Sequence, residues 1–253
     1  MLPIRDHNPS TRWPFVTWAL MAANIAIHLL VTAQLTTDRE LFELYQVYGM
    51  VPGRVTQGDG LMGLVTSVFL HADLLHLGGN MLFLWIFGDN LEDELGHVGF
   101  LVFYLLAGAG AAAAQWLAEP YTMVPTIGAS GAIAGVMGGY LLLFPKAKVD
   151  ILIFLVFLVR IVPVPAWLML GLWFLLQLSG GLDAAAGQGG VAYWAHAGGF
   201  VVGLVLMLLP FLWKGGPAFW RRTDGHPPHP DADYGTLSRS SVPAVRKSRG
   251  PWR

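Results

Sequence analysis

No cysteine occurs anywhere in the 253 residues, which removes disulfides, thiolate metal sites and a cysteine nucleophile together. Charge is almost as scarce. Asp, Glu, Lys and Arg make up 12% of the chain, about half of the roughly 25% usual in soluble domains. Hydrophobic residues reach 55% and the mean hydropathy is +0.55, so a soluble enzyme of this size is close to excluded. The same hydrophobicity excludes disorder for the body of the chain. A net charge of -1 creates no global field that would recruit nucleic acid.

The charge that is present lies at the ends. Between Leu61 and Trp213 only 11 residues are charged, and the other 20 of 31 fall in the first 60 and last 40 positions. An apolar block between polar ends is the pattern of a polytopic membrane protein. A spanning helix needs roughly 20 mostly apolar residues. Candidates run over about 14–33, 73–87, 97–117, 128–145, 165–178 and 191–212. The first could be a signal peptide, but it is long and the downstream block makes several spans the simpler reading. The 38-residue stretch from Gln34 to His71 is expected to be a folded loop at the membrane surface. Gly88–Gly96, with Asp89, Glu92, Asp93 and Glu94, is expected to be a polar turn. From Lys214 onward there are 8 basic and 3 acidic residues in 40, the composition of a disordered tail.

Val149–Val162 is apolar but only 14 residues long, a length more often interfacial or re-entrant than spanning. Cytoplasmic loops carry excess Lys and Arg. Six spans with both termini inside leave Arg5, Arg12, Lys146, Lys148, Arg160 and the tail on the inner side, and only Arg39 and Arg54 on the outer. A seventh span would export the basic tail. The expected fold is therefore an all-α membrane protein of six transmembrane helices. Residues 1–13 would form a cytoplasmic N-terminus, 14–213 the bundle and 214–253 a disordered basic cytoplasmic tail.

Polar side chains inside a membrane are expensive, so each is a candidate functional group. His76 and Asn80 stand out in the second span, Ser130 in the fourth and His196 in the sixth. Under the six-span topology all four lie at a similar shallow depth below the outer surface. Each also has a plainer reading. A serine in a membrane helix commonly bonds its own backbone, and the glycines at 128, 131, 135, 138 and 139 could be a helix-packing face. His76 and Asn80 share one helix face and could simply join two helices. Asp73 suits a helix cap, and His71 is read as structural. Read together, the groups make a hydrolytic site. A serine hydroxyl is a weak nucleophile until a base takes its proton, and histidine is the usual base. Spans four and six hold no carboxylate to orient His196, which makes a dyad of Ser130 and His196. The Ser130 backbone N–H, His76 and the Asn80 amide could bind an oxyanion.

Three separated motifs, in order along the chain, resemble the rhomboid family of intramembrane serine proteases. They are His71 with His76 and Asn80, then Gly128-Ala129-Ser130-Gly131, then Ala195-His196 with Gly199 and Gly203. Asn80 to Tyr104, including Phe87, Gly88, Glu92 and Gly96, is similar to the family's connection between second and third spans. The resemblance covers roughly residues 3–213. It implies a rhomboid-type six-helix core, cleavage of membrane-embedded substrates, and no cofactor or metal. It implies Ser130 as nucleophile, His196 as general base, and His76 and Asn80 as oxyanion ligands. Gly199 and Gly203 would let span six pack against span four. Some members carry a tyrosine one turn after the serine, stacked under the histidine. Ala134 stands there in this chain, which leaves open what orients the His196 ring; Tyr193 and Trp194 are candidates.

Other classes account for less. An inactive relative would normally lack the serine or the histidine. A zinc hydrolase could draw on His71, Asp73, His76 and His196, but zinc wants three ligands in tetrahedral array. A transporter would show internal repeats and midplane polar sites. The expected partners are the lipid bilayer and single-span membrane protein substrates, cut near their outer end at small residues close to Gly or Pro. The Gly-rich link Ser179–Gly190 suits a mobile cap. The bulky fifth span, with Trp167, Trp173 and Phe174, could part sideways to admit a substrate. Only 13 residues precede the first span, so no organelle presequence is evident. A bacterial inner membrane, with the site toward the periplasmic or extracellular side, is the expected home.

Overall fold

A computed structural model describes residues 2–155, 158–184 and 191–228. The first apolar run forms α1 (Phe15–Gln34). The polar stretch after it folds into α2 (Asp38–Tyr48), α3 (Pro52–Thr56), α4 (Gly63–Thr66) and a 3-10 turn at Ser67–Phe69. Thr37 and Glu40 make a reciprocal capping box at the start of α2, which satisfies two orphan N–H groups.

The element α5 (Leu74–Ala118) covers 45 residues. A continuous helix of that length would reach about 67 Å, over twice the ~30 Å hydrocarbon core. It is broken at Gly96, where φ is 71° and ψ 166°, a conformation suited to glycine. The chain reverses there into limbs 74–95 and 97–118. The expected polar turn at 88–96 is thus helical up to Gly96. Its acidic side chains are accommodated because they bond to other segments. Pro14 gives the start of α1 no side-chain cap. Glu92, only 2% exposed, supplies one. Its carboxylate accepts from Val16 N (2.8 Å), Thr17 N (2.7 Å) and Thr17 Oγ1 (2.7 Å).

The remaining helices are α6 (Ser130–Leu143), α7 (Ala166–Ala184), α8 (Tyr193–Trp213) and α9 (Pro217–Thr223). Four elements, α1, α5, α7 and α8, are long and apolar enough to cross a membrane, and α6 is a shorter apolar helix. Their outward faces carry Leu29, Leu30, Val102, Leu106, Leu172, Leu175, Val205 and Leu209, all exposed, while Asn24, His28 and Gln115 are buried. An apolar exterior around a partly polar interior suits a lipid surround and not water.

Two expectations are corrected. The fold is not purely helical: β1 (Leu2–Asp6), β2 (Lys148–Leu155) and β3 (Leu158–Pro165) form an antiparallel sheet in the order β1-β2-β3. Val149 pairs with Val164 and Ile151 with Val162, so the apolar stretch at 149–162 is mostly strand, as its β-branched residues favour. The tail also does not lose structure at Lys214. Pro217 opens α9, where Pro is pre-set for the first turn, and Phe219 is buried. Residues 229–253 lie outside the described residues.

These additions close one end of the bundle. Lys214 pairs with Glu94 and Lys146 with Asp224, both at 2.5 Å. Trp220 Nε1 donates to Leu142 O. The N-terminal strand, the Gly96 break, the end of α6, the sheet and α9 therefore meet. Buried Asp6 joins this end to α6: its Oδ2 accepts from Asn90 Nδ2 and Tyr140 Oη, each at 3.0 Å, and from Asn8 Nδ2 at 3.2 Å. At the opposite end Met50 bridges to Thr126, which fastens the 34–71 region onto the link before α6.

At the centre α6 and α8 touch backbone to backbone. A Cβ on Gly203 would lie 2.0 Å from Gly135 O, one on Gly199 2.1 Å from Gly131 O, and one on Gly138 2.1 Å from Phe200 O. Close approach through small residues is how membrane helices gain packing without a hydrophobic drive. The expected role of Gly199 and Gly203 is met.

Glu92→Ala should strip four donors of a buried carboxylate acceptor, His97 Nδ1 included, and cost roughly 3 kcal/mol. Glu43→Ala, at an exposed i,i+4 pair, should change stability by under about 0.5 kcal/mol. Thermal unfolding in detergent compares the two. Burial, with the Asp89 carboxylate second, pushes Asp6 up to about 7, and bonds from Asn8 and Tyr140 offset only part of this. Its folded form thus holds a proton that the unfolded chain has released, so its contribution is full below about pH 4 and is lost as pH rises through about 7. The Tm at pH 5.5 should exceed that at pH 8, and Asp6→Asn should flatten the difference.

Candidate active site

Three helices begin at the end away from the sheet. Asp73 caps the first limb of α5 by accepting from His76 N at 2.8 Å, and this bond leads in holding its carboxyl below the ordinary value. Ser130 is the first residue of α6, so its N–H has no intrahelical partner. The start of α8 is held from outside: Ala195 N donates to the side-chain Oε1 of buried Gln115 on the second limb of α5, at 3.1 Å. His196 stands one residue further on.

The α6–α8 contact brings Ser130 Oγ to 2.7 Å from His196 Nε2. The other ring nitrogen, Nδ1, lies 2.9 Å from Gln177 Oε1 on α7. An amide oxygen only accepts, so Nδ1 carries the proton and Nε2 offers its lone pair to the serine hydroxyl. The Trp173 ring lies beside the imidazole, with centroids 6.0 Å apart and planes at 37°.

Gly128 has φ +122°, and a Cβ there would meet His76 Nε2 at 2.7 Å, with Ser130 Oγ at 3.6 Å. His76 thus flanks the backbone just before the serine. Asn80, one turn further along the same face, is buried, and its Nδ2 has no partner. A buried donor left unpaired costs about 1–3 kcal/mol, a strain that an arriving acceptor would relieve. His71 lies before the helix, and its Nε2 accepts from Ala129 N at 3.4 Å. Burial first, then His76 and His28, lower its pKa to about 4, so its ring is neutral and able to accept. Gly128 N donates to Ser67 O. The loop into Ser130 is therefore fixed at two successive N–H groups.

Of the four residues singled out in the sequence, His76, Ser130 and His196 come together here, and Asn80 is buried one turn along α5 on the His76 face. Tyr193 and Trp194 do not orient the histidine: their rings press on Gly180 and Gly181 of α7. The supports that sequence reasoning missed are Gln177, Trp173 and Gln115. For the two glutamines the signal was present, an uncharged amide within an apolar run. The link Ser179–Gly190, expected to be a mobile cap, is helical to Ala184, and 185–190 lie outside the described residues. Among the described residues no three His, Asp or Glu side chains converge as a metal would require.

Comparison with known proteins gives a matching domain and several relatives. The Rhomboid domain matches residues 58–212. The chain is 35% identical to the mitochondrial Rhomboid protein 1 of Saccharomyces cerevisiae, over 57% of this chain and 40% of that protein. It is 34% identical to the chloroplastic Rhomboid-like protein 11 of Arabidopsis thaliana, over 57% of this chain and 51% of that protein. It is 41% identical to the Rhomboid protease GluP of Bacillus subtilis, over 31% of this chain and 15% of that protein. The chain thus spans about half, or less, of the length of these relatives. A mitochondrial and a chloroplastic relative give no support to the bacterial inner membrane expected from the sequence.

Proposed function

The chain belongs to the rhomboid family, and from that premise we propose that it is a serine endopeptidase cutting membrane proteins within the bilayer by a Ser130–His196 dyad. The observation that carries this reading is the 2.7 Å contact of Ser130 Oγ with the unprotonated nitrogen of His196; an unpaired buried Asn80 amide, one helical turn from His76, supports it. Ser130 Oγ attacks the substrate carbonyl carbon as its proton passes to His196 Nε2. The oxyanion that forms accepts hydrogen bonds from Ser130 N–H, Asn80 Nδ2 and His76. On collapse the C–N bond breaks, and Nε2 returns its proton to the leaving amine. Water, activated by the same nitrogen, then hydrolyses the acyl-enzyme.

Depth supports an intramembrane substrate. The 14 residues of α6 span about 21 Å, short of the ~30 Å core; with the charged pair Lys146–Asp224 just past its far end, the Ser130 end is the one that starts below a surface. A substrate helix hides its carbonyls in i to i−4 hydrogen bonds and must unwind before Ser130 can attack. Single-span substrates with small residues near Gly or Pro meet that need. Counting the α5 limbs separately gives six spans, with 1–13 and the chain from 214 on the cytoplasmic side.

Ser130→Ala and His196→Ala should each abolish cleavage of a model substrate in liposomes without lowering Tm. The double variant should be no worse, because residues acting as one unit are not additive. Asn80→Ala should lower kcat by about 10² to 10³. Cleavage retained by Ser130→Ala would remove the dyad. A reporter fused after Arg222 should stay cytoplasmic, and its export would mean an odd number of spans.

A further inference from the structure

Ser130 and His196 sit on α6 and α8, which are locked together through glycine, yet the groups that orient the imidazole come from a third helix. We propose that Gln177 of α7 is a positioning residue that selects the productive tautomer of His196, and that the base is therefore oriented only while α7 is seated on α8. This rests on the reading of Ser130 and His196 as nucleophile and base.

The Gln177 amide is itself held in one orientation. Its Nε2 donates to Trp173 O, one turn earlier on the same helix, at 3.4 Å, which turns Oε1 toward His196 Nδ1 at 2.9 Å. The alternative tautomer would set the Nδ1 lone pair against the amide oxygen and aim an N–H at Ser130 Oγ, leaving no lone pair to take the proton. Ala134 is too small to support the ring from α6. Trp173, whose carbonyl anchors the amide, also flanks the imidazole. Both orienting contacts therefore travel with α7.

What holds α7 against α8 near this point is aromatic. Phe174 stacks on Phe200 with centroids 4.9 Å apart and planes at 25°, and Trp173 lies 6.1 Å from the same ring. The opposite face of α7, with Trp167, Leu168, Leu172, Leu175 and Leu176, is exposed. A sideways movement of α7 that widened the opening would withdraw the amide acceptor, so entry and base orientation compete. The titratable group facing His196 is His76 on α5.

The test uses the full chain in detergent. The readouts are the rate at which a small fluorophosphonate labels Ser130, and kcat and KM on a model substrate. Gln177→Met keeps length and apolar bulk but removes the acceptor. It should slow labelling and lower kcat about tenfold, the worth of one hydrogen bond, with KM and Tm unchanged. Gln177→Glu restores an acceptor, should recover most of the rate, and should move the acid limb of the kcat profile to higher pH because a carboxylate favours imidazolium. Phe174→Ala should also slow labelling, since the small probe needs no sideways opening. Wild-type labelling in Gln177→Met would overturn the positioning role, and wild-type labelling in Phe174→Ala would overturn the coupling to α7. A fall in Tm that accounts for the lost rate would make the contact structural only. Failure of the underlying reading shows differently: the wild-type chain would then label no faster than Ser130→Ala.

Discussion

The backbone contact between α6 and α8 sets everything else in this molecule. Gly131 faces Gly199 and Gly135 faces Gly203, a step of four residues on each helix, so the two run parallel and in register. In lipid there is no hydrophobic gain from burying leucine against leucine, and close packing through small residues replaces it. A methyl group at Gly203 would stand 2.0 Å from a carbonyl oxygen, well inside contact distance. The register also fixes the chemistry, because it brings His196, in the first turn of α8, against Ser130, the first residue of α6. The first limb of α5 begins beside them. Three helix N-termini thus lie close together, and their partial positive charge would favour the oxyanion of the proposed reaction.

The two ends of α6 are pinned by different means. At Ser130 the preceding loop is held by Ser67 O and by the neutral ring of His71. At the other end Tyr140 bonds to buried Asp6 and Asn8, which ties the helix to the N-terminal strand. Buried polar groups on this scale are costly unless paired, and here most of the pairings cross between segments far apart in sequence. They fix position as well as satisfy charge. Glu92 acts in the same way, since an acidic residue in α5 serves as the missing cap of α1.

The residues of the candidate site stand out in the sequence for one physical reason. A polar side chain in an apolar run is expensive, so Ser130, His196, His76 and Asn80 stood out, and their spacing matched a known pattern. The limits came from partners that lie elsewhere in the chain. The acidic residues at 89–94 suggested a turn because charge does not sit in lipid, and nothing local revealed that Glu92 would find the start of α1. The strands at 148–165 pair with residues 2–6 across a long separation, which length and hydropathy alone do not report. In α9 the apolar pair Phe219 and Trp220 stands among Lys214, Arg221 and Arg222, and the basic composition of the tail hides it. Gln177 is a lone amide in an apolar helix, and it meets His196 from 19 residues away, a pairing that residues next to the histidine in sequence do not reveal.

Precision and access place opposite demands on such a site. A nucleophile and a base must hold their geometry within a few tenths of an ångström, which calls for rigid supports. A substrate arriving from lipid needs an opening. This fold divides the two demands among its helices. The limbs of α5, with α6 and α8, form the core, closed by glycine contacts and by the polar network at the sheet end. The fifth span, α7, lies against the outside of that core, presents its leucines to lipid and meets α8 through stacked rings. Yet it supplies the acceptor for His196. The helix held to the core by stacked rings is therefore also the one that, on the proposal above, sets the base, and productive chemistry would then require α7 to be in place around the substrate.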